Sequence, residues 1–436
     1  MCGRPNKVEF ELSKEMNKRP TGKPKSGFIK GKQFLKLLGW QNSRISKGNR
    51  LFSAGRLISI LISAVLFAAV IIAMVIINLP NPDAVLTSAQ KQTYVRARVM
   101  RVLSDDAQPD YVRGEGRRLG TQELEIEILS GYYKGDTMPL TNYLSILANV
   151  DVSPGDRIIV RLFTDLDGGE LHAAMHNYDR GIVIGAFVLI FALLMMLVGG
   201  KKGIMAVLGL AFTLACIWFL MLPLVMRGVP SIAVAIAIVA VTTTASIILL
   251  DGFSEKSFSA IMGCVCGVAV AGLAAAITGA ITPLNGFNMS DAENLMLQAT
   301  GDGMKLKGLL VCGVLISALG AVMDVSMSIA SAVHEVCVHN PELPSREIMS
   351  SGMNVGRDAM GTMANTLILA FAGSSLNMLI MVNAYGIPFI QLMNTDFIVI
   401  EILQSVAGSI GIILTVPIVA FISSFVMSRK RLLENR

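Results

Sequence analysis

The sequence predicts a mainly α-helical, polytopic membrane protein of about eight transmembrane helices, with a small β-barrel-like, OB-like domain on its extracytoplasmic side. Three observations predict it. Apolar residues make up 53% of the 436 and charged residues only 16%, with a mean hydropathy of +0.61. The apolar residues gather into runs long enough to span a hydrocarbon core of about 30 Å. One stretch, residues 80–180, breaks this pattern with short segments alternating at period two, the mark of half-buried strands.

Residues 1–56 form a basic tail, with thirteen Lys and Arg against three Glu in the first 50. Its composition predicts disorder. Beside a span, such charge is expected to meet anionic lipid headgroups and to fix topology, and nucleic acid is not an expected partner. Residues 57–79 follow as an apolar run too long for a signal-peptide core and without a cleavage site, which predicts an uncleaved signal anchor. The positive-inside rule then puts the N-terminus in the cytoplasm.

Within residues 80–180, strands are expected at 93–102, 122–129, 156–163 and 170–179, and about five in all. Asp165-Leu-Asp-Gly-Gly169 starts like a calcium loop but lacks the later ligand positions, so it reads as a hairpin turn. His172 and His176 share one side of a strand without further ligands nearby, and no metal site is expected. The six cysteines show neither a disulfide framework nor finger spacing.

Residues 181–428 are expected to hold seven helices, near 182–199, 203–225, 229–250, 259–281, 308–333, 363–383 and 397–426, and residues 429–436 a basic cytoplasmic tail. With alternating crossings, Lys201, Lys202, Lys256, Arg346, Arg357 and Arg429 to Arg431 fall inside, and only Arg227, Lys305 and Lys307 outside. That asymmetry predicts that both termini are cytoplasmic. Asp251 is expected to be solvated at the inner surface, Glu401 to lie near the outer one, and Thr242 to Thr244 to bond back onto their own helix. The outer loop at 282–305 reads as an interfacial loop or a re-entrant lid, and Ser345 to Gly352 as a short surface helix.

The run from Gly308 to Glu335 carries Asp324 well inside it. An ionised carboxylate there costs roughly 2.5 to 3.5 kcal/mol on insertion scales, so it should face protein or water. At about 100° per residue, Gly313, Ser317, Gly320, Asp324, Ser328, Ser331 and Glu335 share a stripe about 80° wide. Two readings follow. Gly313, Ser317, Gly320 and Ser331, with Gly361 on a later helix, form a seam for close helix packing. Alternatively, Asp324, Ser328 and Glu335, with Asp358 and Asn365 on a second polar face, line a pathway for a solute or ion; oxygen ligands of this kind suit protons or hard cations.

At these residues the chain resembles the YibE/F family of bacterial multispanning membrane proteins. The segments that carry the likeness are GAVMDVSMSIASAVHEV at 320–336, Asn340-Pro341, and SGMNVGRDAMGTMANTLILAFAG at 351–373. It extends from the polar domain through the last helix. The resemblance implies a plasma membrane protein with an extracytoplasmic domain before a seven-helix block, and names no activity.

Secondary transport of a small solute or ion is the leading functional expectation, because no GxxxxGK[ST] loop is present to bind a nucleotide. The alternative is a scaffold or assembly protein whose outer domain binds an envelope partner; an envelope protein or a second copy of the chain is the expected protein partner. An enzyme is not expected: His334-Glu335 is followed by His339, an interval that does not stack two histidines as His-Glu-x-x-His does, and no cofactor is expected either.

Overall fold

The computed structural model describes residues 54–79, 93–111, 116–164, 171–284 and 308–434. The tail at 1–53, the Asp165 turn and most of the outer loop at 282–305 lie outside them. The chain divides after Leu57, and the sheet and the helix bundle both belong to the unit from Ile58 onward. Helix α1 (Ala54–Ile77) precedes six strands: β1 (Thr93–Asp105), β2 (Gln108–Pro109), β3 (Arg118–Ile128), β4 (Thr137–Leu144), β5 (Arg157–Thr164) and β6 (Leu171–Tyr178).

The strands curl into a half-barrel in the order β4-β3-β1-β5-β6, with β2 a short extension on β3. Period-two alternation builds its core: Val95, Ala97 and Val99 of β1 face Leu124, Ile126 and Ile128 of β3 and Ile158, Val160 and Leu162 of β5. β1 is long because it serves two neighbours. Its first half pairs with β5 and its second with β3, through register shifts at Val99/Arg101 and Val102/Ser104; such bulges bend a strand and let a sheet close. Strands β1, β3, β5 and β6 lie where alternation predicts them, and β4 has no counterpart among the expected strands, since its Pro139 and Asn142 weigh against one. Here Pro139 sits on an edge, where its missing donor is tolerated, and Asn142 is buried, donating to Gln122 Oε1 at 3.0 Å and to the Val150 carbonyl at 2.8 Å.

After the sheet come α2 (Gly181–Cys216), a π-helical turn (Ile217–Met221), α3 (Leu222–Met226), α4 (Ser231–Asp251), α5 (Glu255–Ile281), α6 (Leu309–His339), α7 (Ser345–Ser374), α8 (Leu376–Ala384), α9 (Phe389–Leu392) and α10 (Asp396–Glu434). Five helical segments are long and apolar enough to cross a membrane, or six when α7 and α8, bent by 61°, count as one. This is the number among the described residues, below the eight expected. One of the five, Gly181–Met226, spans 46 residues, about 69 Å if straight and over twice the hydrocarbon thickness. It is not straight. Gly200 takes φ 56° and ψ −131°, and a Cβ at Gly203 would stand 2.1 Å from the Met195 carbonyl oxygen. Eight helical residues would separate those positions by about 12 Å, so the backbone turns back on itself at the boundary the sequence predicts between two spans.

The helix ends sort into two groups. Arg227 donates to the Ile77 carbonyl and Asn78 to that of Phe219 at 2.6 Å, and the Gly279 position lies beside Leu310. At the other end Asp251 bridges Lys256 at 2.8 Å and Lys202 at 3.8 Å, and Ser345 donates to Ser428 at 2.8 Å. Asp251, expected to be solvated, thus sits mostly covered between two lysines that join three helix ends.

Glycines set the bundle's packing. Gly263 and Gly267 of α5 admit Val419 and Thr415 of α10, Gly272 admits Leu315 of α6, and Gly411 of α10 lies against Ala271 of α5. Gly352 and Gly356 of α7 are buried against Val333 and Ile329 of α6 and Ala420 and Val416 of α10. Without a hydrophobic drive between helices in lipid, such close approach supplies the van der Waals contact that holds them.

Candidate functional site

Helix α6 packs through the face holding Val322, Val325, Ser326, Ile329, Ala330 and Val333, all buried. Taking 100° per residue, the centre of that face lies roughly 160° round the helix from Asp324. The predicted polar stripe therefore points the other way. Gly320, Asp324, Ser328 and Glu335 are exposed on the outside of the bundle, with Gly313, Ser317 and Ser331 half-buried. Asp324 stands midway along a 31-residue helix and forms no ion pair or hydrogen bond among the described residues.

On α7 the second polar face behaves alike. Asn354, Asp358, Gly361, Thr362 and Asn365 are exposed, while the opposite side holds the buried Gly352 and Gly356. The two helices are neighbours, yet they meet through Ile329 and Val333 against Gly352 and Gly356. The chain alone does not bring Asp324, Ser328 and Glu335 together with Asp358 and Asn365 around one pocket.

The packing seam is also differently placed from the expectation. A Cβ at Gly320 or Gly361 would meet nothing within 4 Å, so neither admits a neighbouring helix of this chain. Ser317 donates to its own helix at the Val314 carbonyl, 3.1 Å away, and Ser331 is only half-buried. Of the three glycines in the set, Gly313 alone meets another helix closely, at Gln404 Nε2 of α10. The close contacts come instead from Gly263-x-x-x-Gly267 and Gly352-x-x-x-Gly356, a spacing visible in the sequence as a helix-packing motif. Two smaller expectations concern hydroxyls and Glu401. Thr242 and Thr244 bond back to the carbonyls of Ile238 and Ala240, each at 2.7 Å, while Thr243 lies 3.7 Å from Cys264 Sγ. Glu401 is only partly exposed, and its Oε2 is buried without a hydrogen-bond partner among the described residues.

The half-barrel has its own polar centre. Arg118 donates to Asp105 at 2.5 Å and to Asp151 at 3.1 Å, and Gln122 joins both carboxylates. The hydrogen bond from Arg118 holds the Asp105 carboxyl below the usual range, against the opposing effect of burial. Burial pushes the Tyr178 phenol up, and its hydroxyl donates to the Asp151 carbonyl. Between the edges of β4 and β6 lies a cleft of about 1050 Å³ lined by Tyr143, Asn142, Phe163, His172, Met175 and His176. His176 meets Tyr94 edge-on at 5.0 Å, and His172 lies 5.7 Å from Phe163.

A family model described as YibE/F-like protein matches residues 187–429, more than half of the chain. The chain belongs to the YibE/F family. The match takes in the polar faces of α6 and α7 and all of the glycine contacts, and it begins after the half-barrel, so that sheet of this YibE/F chain falls outside it. No curated protein matches, and no solved structure does.

Proposed function

We propose that this chain is a plasma membrane permease for a small solute or ion, with the outward row of α6 as part of its path and Asp324 as the group that binds the solute or a coupling proton. The observation that carries this reading is a carboxylate at mid-span on a face the chain leaves open. Against lipid it would cost roughly 2.5 to 3.5 kcal/mol, and intramembrane ionisable groups mark pathways and relays. Ser328 and Glu335 continue the row toward the helix end that bears Asn340. Eight crossings with cytoplasmic termini and an OB-like extracytoplasmic domain complete the reading. The break at Gly200, the paired helix ends and the strand order support it.

Purified protein in liposomes tests it. Uptake or efflux of a responsive cation or solute is expected to fall at least tenfold in Asp324→Asn, with the variant still monodisperse. Unchanged flux for every responsive solute would remove Asp324 from the mechanism.

A scaffold role is the second reading, favoured by the cleft between β4 and β6. Two facing strand edges are suited to receiving an extended segment of an envelope protein. Cross-linking in cells from Tyr143→Cys that traps one defined partner, in a chain without solute flux, would decide for it.

A further inference from the structure

Two faces of the bundle carry charges of opposite sign that this chain leaves unmatched at nearly one depth. One is the outward row of α6 with Asp324; the other is the exposed face of α7 with Asn354 and Arg357. Neither Asp324 nor Arg357 has an ion pair among the described residues.

Their relative depth follows from the packing between the two helices. Gly356, next to Arg357, is so close to Ile329 that a Cβ there would stand 2.9 Å from its Cδ1. Ile329 is five residues from Asp324, an axial rise of about 7.5 Å, comparable with the length of an arginine side chain. Within one chain the pairing is blocked. The α6 surface that meets α7 begins about 140° round from Asp324, and Arg357 is turned about 100° away from Gly356 on its own helix.

Copies inserted the same way in one bilayer keep every residue at its depth. The face of α7 on one copy and the row of α6 on another are therefore in register without adjustment. We propose that a second copy of this chain covers the row, setting Arg357 of the partner subunit against Asp324. Asp358 lies a further 100° or so round α7, on the other side of Gly361 from Arg357, and so at the edge of that contact. Gly320 and Gly361, open in the single chain, then let the two backbones approach, as small residues do between helices in lipid. The polar row becomes a slit walled by two copies, closed by point-group symmetry, and the charge at mid-span no longer faces lipid. The association stands apart from the transport reading, since its test counts copies and not flux.

The full-length wild-type chain, carrying one fluorescent label, is reconstituted at high dilution in liposomes and its photobleaching steps are counted. Two or more steps per spot are expected; single steps throughout would overturn the proposal, and this arm needs no variant to fold. The contact is then mapped by co-expressing Asp324→Cys copies and Arg357→Cys copies under different tags. A homobifunctional maleimide long enough to cross the axial offset of about 7.5 Å, which a disulfide cannot, is expected to yield a mixed-tag product several-fold above that of either variant paired with wild type, which accounts for the native cysteines. No such excess would contradict the proposed contact. So would equal or stronger cross-linking between copies carrying Leu189→Cys, on the exposed apolar part of α2, because association would then run through that face.

Discussion

At Gly267 the bundle has no room for a methyl group. A Cβ there would stand 1.8 Å from Thr415 Oγ1 and 3.0 Å from Val322 Cγ1, and Thr415 is held by its bond to the Gly411 carbonyl at 2.6 Å. Gly267→Ala is expected to destabilise the protein by about 1 to 3 kcal/mol, as overpacking does. Gly185→Ala, with nothing within 4 Å, should be neutral or slightly stabilising through helix propensity. Thermal unfolding of the two variants in one detergent checks both. In the half-barrel, Arg118 depresses the carboxyl of Asp105. The stability this contributes is present above the ordinary carboxylate pKa of about 3.9 and is lost as pH falls through the lower folded value. Arg118→Gln should therefore be less stable at neutral pH, and its stability should fall less steeply than the wild type's between about pH 4 and pH 2, as melting curves recorded across that range would show. At this scale the sequence makes Asp324 and its polar stripe legible, because helical periodicity fixes which residues share a face. Periodicity does not say whether that face looks into the bundle or out of it. Small polar residues suit a tight contact and a wet surface equally, and only the packed positions of Ile329 and Val333 decide.

Two elements depart from expectation because contacts with other elements form them, and one boundary does not depart. The turn at Gly200 lies at φ 56° and ψ −131°, outside the left-handed well open to L-residues, so only glycine takes it without strain. Gly200→Ala is expected to cost about 1 to 3 kcal/mol, read as a lower melting temperature and a reduced yield of monodisperse protein. The pair Gly199-Gly200 and the two lysines after it mark this position in the sequence, which makes the span boundary legible. Strand β4 is not legible, because its stabilising pairs are long-range. Asn142 is satisfied by Gln122 and Val150, partners that no local pattern in Thr137–Leu144 reveals. Helix α7 is the opposite case: a surface helix and a separate span are expected, and one helix runs through both because Gly352 and Gly356 seat it against α6 and α10.

For the whole molecule, helix ends that share Arg227 and Ile77 on one side and Lys202, Asp251, Lys256, Ser345 and Ser428 on the other fit alternating crossings. A fluorescent protein fused after Arg436 is expected to glow in the cytoplasm, and Tyr132→Cys, on the exposed surface of the half-barrel, to react with an impermeant maleimide on intact spheroplasts. The reverse pattern would invert the topology. Composition and charge make the membrane class legible, while the number of crossings depends on bends at Gly200 and Ser375 that composition does not encode. The central claim is that the outward row of α6 meets water inside the membrane. Its most direct measurement is labelling of Asp324→Cys and Ser328→Cys by a charged, membrane-impermeant thiol reagent, with Leu189→Cys as the lipid-facing reference. Both row positions are predicted to react well above that reference; a row as unreactive as Leu189→Cys would contradict the claim.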